Sequence, residues 1–273
     1  MSSFPIALQE ILLATDFSEP ARRALVFAKL IARRRAAPLR AVHVLDLTEY
    51  ALAESGATRQ RSFATAHDSA ERALREIRRE IRLGGMESTA TLVSAGKPAA
   101  ALRELIQQYH PLLLILGVRS RPPTGLGATA RSLLAAPPCP ILTVNERCPE
   151  IPSAGTLERA VIVVDALPKS LRTALNAWPS GPQQSSPTIF AVIARDTHSA
   201  PEIPGAQERR FRPIILLDRA QAADPILRHA TEAGAGLIIT AFGSGTRLSS
   251  LTRGTLAHSL LTRALCPVLT LPA

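Results

Sequence analysis

Cysteine is scarce, with three residues in 273, at positions 139, 148 and 266. The number is odd and the spacings match no metal-ligand pattern. Neither a disulfide framework nor a metal site is therefore expected, and a reducing, cytoplasmic setting is. Aromatic residues amount to 4%, too few for the stacking platforms that hold single-stranded nucleic acid. No apolar run approaches the roughly 20 residues that a membrane helix needs, and LLLILGV at 112–118 falls far short of it. The opening MSSFPIALQEILLATDFS has no basic stretch ahead of its apolar one, so no secretory signal is expected. Neither H-E-x-x-H nor G-x-S-x-G occurs. No catalytic residue is assigned, and no enzyme is expected.

What is present is a globular balance, 46% hydrophobic and 20% charged, over a length that suits one large domain or two of roughly 130–140 residues. The net charge is +10, and 29 of the 32 basic residues are arginine. Residues 1–150 hold 20 basic and 14 acidic side chains, and the remainder 12 and 8. Divided so evenly along the chain, the charge singles out no basic segment. Nucleic acid is accordingly not expected as a partner, and neither is a membrane.

The chain repeats itself. Cys139-Pro140-Ile141-Leu142-Thr143-Val144 returns as Cys266-Pro267-Val268-Leu269-Thr270-Leu271. Each copy follows a helical stretch opened by glycine, GATARSLL from Gly127 and GTLAHSLL from Gly254. Upstream, PLLLILG at 111–117 matches GLIITAF at 236–242, and ILLATD ending at Asp16 matches VIVVD ending at Asp165.

The first half reads as alternating strands and helices, with strands at 11–15, 39–45, 88–94, 112–116 and 140–144. Ser18 is placed to cap the first helix, with Pro20 in its first turn. Over 58–83, Phe63, Ala66, Ala70, Leu74, Ile77 and Ile81 recur at helical spacing, with Arg and Glu between them. The second half has no counterpart of that helix. In its place runs Arg195 to Pro213, with three prolines and no helical period. The pattern predicts an α/β fold with doubly wound parallel sheets and right-handed crossovers.

These residues resemble a tandem universal stress protein. The likeness rests on ATDFSEP after the first strand, on His43-Val44-Leu45-Asp46 closing the second, on a glycine-bearing loop after the fourth, and on a last helix running into Pro-Cys-Pro and a strand. The resemblance implies two five-stranded domains of strand order 3-2-1-4-5 related by a pseudo-twofold axis. They are a first domain at 1–147, a linker at 148–157, and a degenerate second domain at 158–273 that lacks one helix. It also implies fifth strands that meet antiparallel, with no disulfide between Cys139 and Cys266.

An adenine nucleotide, ATP, is the cofactor that the resemblance implies, in one of two crevices. The family loop Gly-x2-Gly-x9-Gly-Ser/Thr is incomplete in both halves. Gly117 keeps its first position, Ser120 replaces its second glycine, and Gly127 ends a shortened loop stiffened by Pro122 and Pro123. In the second half the spacing is kept, with Ala241, Ser244 and Gly254-Thr255 at the three positions. The candidate cofactor-binding residues are Asp16, Val44, Gly117, Ser120, Gly127, Asp165, Ser244, Gly254 and Thr255, with phosphate chemistry favouring the second crevice. The function implied is non-catalytic stress regulation. An adaptor with vestigial nucleotide sites and a slow ATPase stay open as alternatives. Expected partners are the two domains paired as an intramolecular pseudo-dimer, a homo-oligomer, and a protein partner.

Overall fold

The computed structural model describes residues 10–48, 56–89, 92–119, 126–152, 157–164, 188–194, 211–217, 222–241 and 256–272. Among the described residues there are ten strands: β1 (Ile11–Ala14), β2 (Leu39–Asp46), β3 (Leu92–Gly96), β4 (Leu113–Val118), β5 (Ile141–Asn145), β6 (Arg159–Val164), β7 (Thr188–Ala194), β8 (Phe211–Leu217), β9 (Leu237–Ala241) and β10 (Val268–Thr270). They form one sheet of order β3-β2-β1-β4-β5-β10-β9-β6-β7-β8. Neighbours run parallel except at one place, where β10 pairs antiparallel with β5 in the register Val268↔Thr143 and Thr270↔Ile141. The strands thus do not separate into two sheets. An open edge on β5 or β10 would leave a row of unpaired N–H and C=O groups, and the β5–β10 ladder satisfies both rows at once.

β1 is apolar on both sides, and both of its sides are covered. Ile11 and Leu13 enter one core and Leu12 the other, all three at 0% exposure. On the first face of the sheet lie α1 (Glu19–Arg35) and α2 (Gly56–Leu83), which bury Phe27, Ile31, Leu74 and Ile81. On the second lie α3 (Pro98–Tyr109), α4 (Ala128–Ala135), α5 (Ala223–Glu232) and α6 (Leu256–Arg263), which bury Leu102, Leu134, Ile226 and Leu260. Among the described residues, no helix is long and apolar enough to cross a membrane.

Two local expectations are corrected. Ser18 does stand at the N-cap of α1 with extended backbone, but its hydroxyl makes no capping hydrogen bond. Its N–H is instead held by Asp16. The third strand lies at Leu92–Gly96 and not at 88–94, and Ser88 makes only an isolated bridge to Leu39. Arg195 to Pro213 lies outside the described residues up to position 210, while 211–213 belong to β8.

Candidate functional site

The chain leaves β1, builds β2 and β3 on one side, and then returns to lay β4 on the other side of β1. Such a reversal opens a crevice beyond the carboxyl ends of the two strands, because successive loops leave in opposite directions. A cavity of about 470 Å³ lies there, lined by the ends of β1, β2 and β4 and by the first turns of α3 and α4. Its size falls within the roughly 300–1,000 Å³ of small-molecule sites.

The loop from β1 to α1 is held by its own side chains. Thr15 Oγ1 accepts the Phe17 N–H at 3.0 Å, and Asp16 Oδ1 accepts the Ser18 N–H at 3.0 Å. These two interlocked turns put Phe17 at φ 59, a left-handed conformation that costs a bulky residue about 1–3 kcal/mol. The Phe17 ring packs on His43, with centroids 4.5 Å apart. His43 Nδ1 lies 2.8 Å from the Thr15 carbonyl. A carbonyl only accepts, so Nδ1 carries the hydrogen and Nε2 is left for other partners. At the end of β2, Asp46 Oδ1 accepts from the Thr48 N–H at 3.0 Å and from its hydroxyl at 2.6 Å.

Four candidate residues meet in this crevice: Asp16, Val44, Gly117 and Gly127. The two glycines are there for different reasons. A Cβ on Gly117 would lie 2.4 Å from the Pro20 carbonyl carbon and 2.4 Å from the Ala21 nitrogen. Close approach of the α1 backbone to β4 therefore accounts for that glycine without any ligand. Gly127 is the N-cap of α4 with φ −58, and a Cβ there would meet nothing within 4 Å. Neither backbone strain nor packing calls for glycine at 127, and the space in front of it opens on the crevice. The helix start behind it presents N–H groups without intrahelical partners.

Ser120, Asp165, Ser244, Gly254 and Thr255 lie outside the described residues, and with them the preference for the second crevice. Thr15, Asp46, Arg119 and Thr129 also line the cavity. Asp46, which the sequence showed closing the second strand, is the last residue of β2 and reaches the same edge as Asp16 because parallel strands end together. Among the described residues, no cluster of His, Cys, Asp and Glu could hold a metal ion.

A family model described as the universal stress protein family matches residues 8–145. No curated protein matches the chain. Among solved structures, a universal stress protein from Archaeoglobus fulgidus DSM 4304 is similar at a TM-score of 0.69 and 16% identity, over 96% of this chain and 98% of that one. A functionally unknown protein from Pseudomonas aeruginosa PAO1 follows at 0.53 and 16%, over 97% and 93%. A protein from P. aeruginosa UCBPP-PA14 gives 0.55 and 16% over the same shares. At these identities the likeness is one of fold.

Proposed function

The chain belongs to the universal stress protein family, and from that premise we propose that it is a non-catalytic stress regulator whose β1–β4 crevice binds an adenine nucleotide. The observation that carries this reading is the convergence of Asp16, Val44, Gly117 and Gly127 on one cavity, with open space where Gly127 lacks a side chain. A bound nucleotide would supply a polyanionic tail and a base edge rich in hydrogen-bonding groups. Asp16 keeps Oδ2 beside the oxygen that holds the loop, as an acceptor for ribose or base donors. Val44 offers an apolar wall. The α4 start, with Gly127 open before it and Thr129 in its first turn, suits phosphate oxygens. The carboxylates of Asp16 and Asp46 each spend Oδ1 on a local turn, a positioning use that fits occupancy sensing better than proton transfer.

The same reading takes the chain as a tandem, with a first unit at 1–147, a linker at 148–157 and a second unit at 158–273. The strand order supports it. Outward from the β5–β10 junction, β4-β1-β2-β3 is matched on the other side by β9-β6-β7-β8. A second reading, an adaptor with vestigial sites, is favoured by Gly117, whose glycine is explained by helix packing alone.

Calorimetric titration of ATP into the full chain tests the first reading. Binding is expected, and Asp16→Ala and Gly127→Val are each expected to weaken it at least tenfold. No binding by the unmutated chain would favour the adaptor.

A further inference from the structure

The charge that divides evenly along the chain does not divide evenly in space. Six basic side chains and one acidic lie in α1, and seven basic and four acidic in α2, a net +8 for the two described helices on the first face of the sheet. On the other face, Arg103 offsets Glu104 in α3, Arg131 stands in α4, Arg228 faces two acids in α5, and Arg263 ends α6, a net +1. α1 and α2 are separated in sequence by β2 and are brought to one face only by the crossovers.

Within α2 the arginines are ordered. At about 100° per residue, Arg61, Arg72, Arg75, Arg79 and Arg82 fall in one arc of roughly 80°, and all five are exposed. The arc lies opposite Ala70, Leu74 and Ile81, which enter the core. Asp68 is the acid inside the arc, and Glu71 and Glu76 flank it. Arg75 pairs with Glu71 at 3.2 Å and Arg72 donates to Ser69 Oγ at 3.2 Å, contacts that hold both guanidinium groups on the outer face. Alongside, α1 exposes Arg22 and Arg33. Lys29 pairs with Glu80, and Arg33 donates to the Gly84 carbonyl at 2.9 Å. Both links span 51 residues, so the two helices run side by side in one direction as a fixed platform.

We propose that this α1–α2 face docks a nucleic-acid duplex through its phosphates. From Arg61 to Arg82 the helix rises about 32 Å at ~1.5 Å per residue, close to the ~34 Å of one duplex turn. Guanidinium forks match phosphate oxygens two at a time. The arc carries no aromatic ring, so bases have nothing to stack on, and a duplex is preferred over a single strand. Most apolar side chains of both helices are spent on the sheet, and Leu83, exposed at the end of α2, is too little to enter a bilayer. The partner is thus one that the sequence alone did not lead us to expect.

Fluorescence anisotropy of the full chain with labelled 20-base-pair DNA and RNA duplexes tests the proposal. Binding is expected with Kd on the order of 10⁻⁴–10⁻⁶ M at physiological salt, weakening steeply as salt rises. The triple change Arg72→Gln, Arg75→Gln, Arg79→Gln should weaken it at least tenfold and lower the log–log salt slope by about 0.9 per arginine removed. Arg131→Gln with Arg228→Gln, on the other face, should leave it within twofold. Excess ATP should not compete, which separates this face from the crevice. If circular dichroism shows the triple variant unfolded, Arg79→Gln and Arg82→Gln singly should each lower the slope by about one. Unchanged duplex binding by the charge variants would overturn the proposal. So would capture by phosphatidylserine vesicles that depends on these arginines while neither duplex binds.

Discussion

Asn145 holds Ala264 across the middle of the sheet. The side-chain Nδ2 at the end of β5 donates to the Ala264 carbonyl at 3.0 Å and to the Leu261 carbonyl at 3.1 Å. Both carbonyls belong to the end of α6, where no further helical N–H can reach them. Its Oδ1 accepts the Arg147 N–H at 2.7 Å. One amide at 1% exposure thus closes a helix packed on the second half and turns the chain out of the first.

Replacing Asn145 with Ala orphans two buried carbonyls and one N–H. At about 1–3 kcal/mol for a buried group left unsatisfied, the loss should reach about 3 kcal/mol, read as a lower urea midpoint with unchanged slope. Asn145→Asp should be worse at neutral pH, since a carboxylate has no hydrogen to give two carbonyls. It should recover partly on acidification, as the protonated form regains one donor.

The two crevice glycines should respond in opposite ways. Gly117→Ala drives a methyl into the Pro20–Ala21 backbone and should cost about 1–3 kcal/mol through overpacking. Gly127→Ala meets open space and should cost only about 0.5–1 kcal/mol, the loss of an N-cap glycine to a poorer cap residue. A Gly127→Ala variant that melts as low as Gly117→Ala would show that the open space at 127 is not there.

All three thiols are free and buried. Burial pushes the Cys139 thiol up to about 11 and the Cys148 thiol up to about 12, and raises Cys266 as well. The folded chain at pH 8 should resist alkylation at all three, and mass mapping without reductant should find no bridge. The thiols ordinarily titrate near 9.0. Their stabilising contribution is therefore whole below that pH and is lost as pH climbs toward 11 and 12. A urea midpoint that holds steady from pH 8.5 to 10.5 would contradict this burial.

Arg40 Nε meets Glu10 Oε1 at 2.8 Å at the opposite end of β1, and its guanidinium lies 4.2 Å over the Tyr109 ring. Thr89 donates to Glu10 Oε2 at 3.0 Å. Arg40→Met would strand a carboxylate with only that hydroxyl and should cost about 3 kcal/mol. Adding Glu10→Gln should restore part of it, measured as coupling in a double-mutant cycle.

What the sequence by itself determined is local or periodic. The run ILLA between turn residues suits a strand covered on both faces, and the spacing of Leu74, Ile77 and Ile81 suits one buried side of a helix. That Asp16 and Gly127 share one crevice was implied only by the family resemblance, because it depends on β4 lying beside β1 and not merely on parallel strands ending at one edge. Other features needed the tertiary structure because each depends on residues far apart in the chain. Gly117 is glycine because α1 crosses β4 at backbone distance. Phe17 is held left-handed by the hydrogen bonds that Thr15 and Asp16 accept from the Phe17 and Ser18 N–H groups and by the His43 ring. Asn145 looks like any strand-end asparagine until α6 ends beside it. The even spread of arginine becomes a one-sided face only when right-handed crossovers lay α1 and α2 on the same side of the sheet, for distance in space, not along the chain, sets the field that a partner meets.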